Sequence, residues 1–192
     1  MQTAADALTA AQALARDLLG ANDDRWRHTV GVAECAAALA VTVPVEDAET
    51  LVVAAWLHDI GYSPTLSDTG LHPLDGAAYL ERHGWPARIC GLVAHHSGTR
   101  FLAAAAADTD DWARALARYP DERSVVSEAL TYADQRVGTF GQRMSVQARL
   151  DDKAARHGED SVQGRARAQR DPYLLGVAER VEKRLEEAGG LA

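Results

Sequence analysis

Residues 51–64, LVVAAWLHDIGYSP, decide the fold. Apolar side chains return here at three- and four-residue steps, and the inward stripe of Leu51, Ala54 and Ala55 runs on to His58, in line with Leu51. Pro44, followed by Glu46 and Asp47, opens the helix, which is predicted over 45–58. The segment IGYSPTLSDTGL at 60–71 loses the periodicity and reads as irregular. A helix therefore carries a His–Asp pair to its inner end, beside a loop. Loops that flank a helix-borne site are where substrate contacts gather.

The same period extends in both directions, and no stretch alternates as a half-buried strand must. Helices are expected at about 3–20, 23–42, 45–58, 73–83, 86–96, 109–118, 121–136, 145–157 and 160–188, with 60–71 and 97–111 the least regular regions. Asn22 and Asp23 are candidate caps for the second helix, Pro73 and Pro86 sit at helix starts, and Ser145 caps a helix that stops at Gly158. Pro172 is expected to break or kink the last segment. There is no repeat, and the only biased tract is AAAAA at 103–107. The expectation is an all-α chain, with residues 1–192 forming one domain.

The formal net charge of −8 argues against broad binding to a nucleic-acid polymer or an anionic membrane. A small phosphorylated ligand stays open, because a few arginines in one pocket override the global sign. No stretch approaches the roughly 20 apolar residues of a membrane helix. The opening MQTAADALTAAQALARDLLG lacks the basic and apolar regions of a signal peptide. Cys35 and Cys90 lie among apolar neighbours and read as free thiols of a reducing cytosol, so a cytoplasmic protein is expected.

Ligand-type side chains fall on the faces that should build the core. On 23–42 the inward stripe is His28, Val32, Cys35, Ala36 and Leu39. On 86–96 it is Ile89, Leu92, Val93 and His96, and on 121–136 Asp134 lies four residues after Leu130. An unpaired imidazole or carboxylate is costly to bury. A divalent cation offsets that cost, and a mixed His/Asp set suits a catalytic transition metal. Helical bundles build such centres from facing helices. His83 and His157, each in an RHG context near a helix end, read as C-terminal helix residues or surface groups.

WRHTVGVAECAAALA, AAWLHDIGY, LVAHHSG and ALTYADQR, in that order, resemble the HD superfamily of metal-dependent phosphohydrolases. The resemblance spans about 22–140 and implies an HD-domain helical bundle, with 145–192 as extra C-terminal helices. It implies that His28, His58, Asp59 and Asp134 bind one metal. HDIGYSP, HPLDGAAYL and HHSG are also similar to short actinobacterial HD proteins.

Some members bind a second metal through histidines between the HD pair and the last Asp. His72 and His95-His96 occupy those places, with Asp59 set to span both ions. Neighbours on a helix differ by about 100°, so the apolar stripe favours His96 as the inward member, although a helix ending here lets both ligate. The cofactor expected is one or two divalent transition-metal ions, with iron, manganese, nickel, cobalt and zinc all open.

Arg25, one turn before His28, is similar to an arginine that HD phosphohydrolases place near the substrate phosphate, and guanidinium suits that role. Tyr62, Arg100 and Arg136 are further substrate-side candidates. The implied reaction is hydrolysis of a nucleotide or other small phosphate ester by metal-activated water, with Asp59 and Arg25 as catalytic candidates. Three departures each remove a named substrate: Tyr62 stands where many relatives carry Lys after HDIG, the HDxxED pattern is absent, and no GYP segment occurs. His28, His58, Asp59, His72, His96 and Asp134 also resemble the six-residue set of mixed-valent di-iron HD oxygenases, which cleave C–C or C–P bonds. A non-catalytic binding protein is the third reading. The helical tail at 160–188 leaves a homodimer open.

Overall fold

The computed structural model describes residues 4–20, 23–106 and 110–189. In order these form α1 (Ala4–Leu19), α2 (Asp23–Ala38), α3 (Ala48–Leu57), α4 (His72–Arg82), α5 (Ala87–His95), α6 (Thr99–Ala105), α7 (Asp110–Leu116), α8 (Val125–Gln135), α9 (Val146–Arg156) and α10 (Val162–Glu187). No strand occurs among the described residues; one isolated antiparallel bridge joins Val137 to Arg143. The fold is all-α.

α3 is the hub. Leu51, Val53, Ala54, Ala55 and Leu57 are all buried, so apolar contact surrounds the helix rather than lining one stripe. α1 and α2 lie against it on one side and α5 and α8 on others, while α10 crosses α6 and α8. Full burial of Leu51 and Leu57 contributes roughly 1.5–3 kcal/mol each. Because α3 is fixed by this packing, the residues just past its end are fixed as well. His58 keeps helical angles (φ −57°, ψ −36°), and Asp59 (φ −105°, ψ 6°) leaves the helix into a 3₁₀ turn at Ile60–Tyr62.

Several boundaries differ from those the sequence predicts. The 97–111 region contains α6, with Thr99, Leu102 and Ala103 buried at helical spacing. Residues 107–109 lie outside the described segments. The helix expected from 121 starts at Val125, because Arg123 takes a left-handed φ of 44° and the Ser124 hydroxyl then accepts from the Val126 and Ser127 amides. The second and third helices are each partly 3₁₀, over Leu39–Thr42 and Val45–Asp47.

Pro172 does not break α10, which runs through it from Val162 to Glu187. Its lost N–H costs about 3 kcal/mol in a free helix. Here Ala166 and Arg170 are buried before it, and Leu174, Val177 and Val181 after it, so tertiary packing holds both halves. The Ser145 hydroxyl caps α9 by accepting from the Ala148 amide, as expected. The proposed caps for α2 fall on Asn22 and on the side chain of Asp23, outside what is described. No described helix is long and apolar enough to cross a membrane. Cys35 and Cys90 are buried free thiols.

Candidate metal centre

Five elements converge on Asp59. α2 brings His28, the end of α3 brings His58 and Asp59, the first residue of α4 is His72, the turn after α5 brings His96, and α8 brings Asp134. Two groups of side chains there could each hold a metal ion: His28, His58 and Asp59 in one, and Asp59, His72 and His96 in the other. Asp59 is common to both and divides its oxygens between them. Oδ2 lies 3.6 Å from His28 Nε2 and 3.5 Å from His58 Nε2, while Oδ1 lies 3.2 Å from His72 Nε2 and 3.8 Å from His96 Nε2.

The outward nitrogens explain which way the rings face. His58 Nδ1 donates to the Ala55 carbonyl at 2.7 Å, His96 Nδ1 to the Val93 carbonyl at 2.6 Å, and His28 Nδ1 to the Gly138 carbonyl at 3.1 Å. A carbonyl can only accept, so each Nδ1 carries a proton and Nε2 is the nitrogen turned inward. This is the arrangement by which backbone carbonyls orient metal-binding imidazoles. His58 Nε2 is buried with no hydrogen-bond partner. His28 Nε2 lies 3.0 Å from Asp134 Oδ1, so a ring nitrogen and a carboxylate oxygen converge on one point. A divalent cation answers both observations, so the donor set fits one.

Electrostatics point the same way. Burial pushes the Asp59 carboxyl up, but His58, Arg25 and His72 outweigh it and hold the group well below the usual carboxylate range. At Asp134 burial is likewise outweighed by Lys153 and His28. Burial pushes His58 and His96 down, and His72 down to about 4, so all three favour the neutral form that a metal requires.

His96 reaches the cluster because α5 stops at His95. His96 itself is extended (φ −59°, ψ 153°), and Ser97 and Gly98 follow with left-handed φ of 53° and 74°. The same break turns His95 away: its Nε2 donates to the Tyr119 carbonyl at 3.1 Å, outside both groups. Ser97 donates its hydroxyl to Asp134 Oδ2, and Gln135 Nε2 donates to the same oxygen at 2.7 Å. These two residues fix the carboxylate and carry no motif that sequence reasoning could recognise.

A third unforeseen residue is Gly61. A Cβ there would stand 2.0 Å from the His72 carbonyl oxygen and 2.7 Å from the Gly76 amide. The missing side chain lets the turn after the His–Asp pair press against the start of α4, which is what delivers His72 to Asp59.

Above the cluster lies a cavity of about 230 Å³. Arg25 lines it and donates to Asp59 Oδ2 at 3.0 Å. Tyr62 is stacked on His72 with ring centres 3.8 Å apart, and the Arg25 guanidinium lies 3.7 Å from the Tyr62 ring centre. Arg100 and Arg136 do not line the cavity. Arg100 packs over Phe101 and Tyr173, and Arg136 lies 3.9 Å from Glu182. His157, read as a helix-end residue, does line it, together with Arg149, Lys153, Arg156 and Arg170 from the C-terminal helices.

Comparison with curated proteins and with solved structures returns no match to this chain. The family model described as HD domain matches residues 25–136, which run from Arg25 through the His58-Asp59 pair to just beyond Asp134. With more than half its length matched and those side chains gathered at one point of an all-helical fold, the chain belongs to the HD-domain family.

Proposed function

We propose that the protein is a cytoplasmic metal-dependent phosphohydrolase of a small phosphate ester. The observation that carries this reading is the placement of four inward Nε2 atoms around the two oxygens of Asp59, directly beneath a cavity lined by cations. His28, His58, Asp59 and Asp134 would hold one ion, and His72 and His96 a second through Asp59. A bound divalent ion would supply Lewis acidity and a more acidic water.

The chain's own groups do the rest. Arg25 donates to Asp59 Oδ2 and lines the cavity, so it places a permanent positive charge beside a phosphoryl group while steadying the carboxylate beneath. Ser97 and Gln135 hold Asp134 Oδ2, leaving Oδ1 turned toward His28. Tyr62 keeps its phenol protonated, since burial and Asp59 push it up to about 12, so it serves as a hydrogen-bond donor at the cavity mouth. The C-terminal helices share the hydrophobic core of the matched segment through Ala166, Leu174, Val177 and Val181, which favours one domain. The two free thiols favour a reducing compartment.

The test is a screen of phosphomonoesters and nucleotides against protein purified anaerobically, with metal content measured and Asp59→Ala as control. Hydrolysis that disappears in the variant supports the proposal, and hydrolysis that survives overturns it. Dioxygen consumption with an organophosphonate or a polyol, in place of hydrolysis, would move the reaction to the oxygenases built on the same six residues. No turnover alongside tight ligand binding would make the protein a binding module.

A further inference from the structure

The cavity walls contributed by α9 and α10 lie outside the segment that matches the HD domain. On α9 the basic residues fall at 149, 153 and 156, spacing i, i+4 and i+7, and so share one helix face; α10 adds Arg170. All four line the same cavity as Asp59 and Asp134. Counting Arg25, five Arg and Lys residues face two carboxylates in that lining, although the chain as a whole carries −8. The local sign is opposite to the global one.

Arg170 is paired with Asp171 at 2.9 and 3.0 Å and donates to Gln163, and Arg156 is paired with Asp152 at 2.7 Å, whereas Arg149 and Lys153 are incompletely answered. The Arg149 and Arg170 side chains are only 4% and 3% exposed. Arg149 reaches Asp152 at 3.3 Å and Thr139 at 3.4 Å through one terminal nitrogen, and its buried Nε has no partner. Lys153 donates to the neutral Gln135 Oε1 at 2.9 Å. Burial, helped by Arg149 and Arg170, brings the lysine down to about 8 against the pull of Asp134. The unanswered Arg149 Nε and the crowding of like charges both cost free energy that an anion in the cavity would remove.

We infer that α9 and α10 build a second anion subsite on this cavity, and that the ligand carries at least two anionic groups, one near Asp59 and Arg25 and another against Arg149, Lys153, Arg156 and Arg170. The inference rests on the phosphohydrolase reading of the same cavity and narrows its substrate class to bisphosphates, diphosphates and comparable dianions of small molecules. A monoester with no second charge would leave the α9 face unanswered.

Calorimetric titration of the metal-loaded full chain with methylenebisphosphonate and with methylphosphonate tests this. The bisphosphonate should bind about tenfold or more tightly, since a charge-assisted contact contributes about 1.5–3 kcal/mol. In Lys153→Gln/Arg156→Gln that preference should fall to within about threefold, with methylphosphonate affinity little changed. Should the double variant fail to fold, Arg156→Gln alone alters a side chain 40% exposed and should lose part of the preference. Equal affinities in the native chain, a preference that survives the substitutions, or loss of metal during titration would each overturn the subsite. Monoester hydrolysis without bisphosphonate preference sinks the subsite and spares the hydrolase. Preference without hydrolysis of any phosphate ester does the reverse.

Discussion

His28 Nε2 and Asp134 Oδ1 meet at 3.0 Å across 106 positions of sequence, joining α2 to α8 at the floor of the cavity. With Nδ1 donating to the Gly138 carbonyl, the imidazole turns Nε2 to that carboxylate, and the two together offer a cation a nitrogen and an oxygen donor. Asp134→Asn should therefore weaken metal binding by about 100-fold or more, because even residues that merely orient ligands cost 10–100-fold. Competition with a chromogenic chelator measures it.

The adjacent histidines should behave oppositely. His96→Ala removes an inward Nε2 and should lower metal affinity by about 100-fold, whereas His95→Ala removes only a contact to the Tyr119 carbonyl and should leave it within about twofold. Metal analysis of the two purified variants decides it; equal losses would mean that His95 also ligates.

Gly61→Ala should damage the centre without touching a ligand. Its new Cβ meets backbone, the His72 carbonyl oxygen at 2.0 Å, so the α4 start must retreat from Asp59. A cost of about 1–3 kcal/mol is expected from the overpacking, together with loss of a His72-dependent second ion if two are bound. Urea unfolding and metal stoichiometry report the two effects separately.

Metal-free protein should lose stability as the pH falls from 7 toward 4. His58, His72 and His96 have folded pKa values below the ordinary 6.5, that of His72 at about 4, so the unfolded chain takes up their protons first in that window. The sign is set by proton uptake: where the unfolded state binds more protons, stability rises with pH. The depressed Asp59 and Asp134 values matter only below about 4, where protonation removes their stabilisation in turn. Melting temperature in chelator should drop by roughly 5–10 °C across the window; a flat profile would contradict the burial of neutral imidazoles.

Most of the fold and the chemical centre could be read from periodicity, because His28, His58, His96 and Asp134 occupy inward stripes where their polarity is conspicuous. α6 was not legible, since the left-handed Ser97–Gly98 step that precedes it looks like ordinary loop composition. Ser97 and Gln135 were invisible because a hydroxyl or amide beside a carboxylate is a tertiary accident of neither spacing nor type. Arg149 and Lys153 carry a legible signal of the same kind. Val146, Arg149, Leu150 and Lys153 form the same i, i+3, i+4, i+7 stripe that singled out the histidines, with Val146, Arg149 and Leu150 buried. Basic residues on an inward stripe are as conspicuous as histidines there, and these mark the cationic wall.

The division of the cavity between a floor drawn from residues 25–134 and a wall drawn from 149–170 also bears on synthesis. A domain folds as a unit, and α10 completes the core of this one through Leu174, Val177 and Val181. Every side chain of the floor is translated before the first arginine of the wall. A chain terminated before α10 would carry every side chain of the floor but lack the apolar surface that packs on α8, so the element that lines the wall is also the one that completes the support of Asp134.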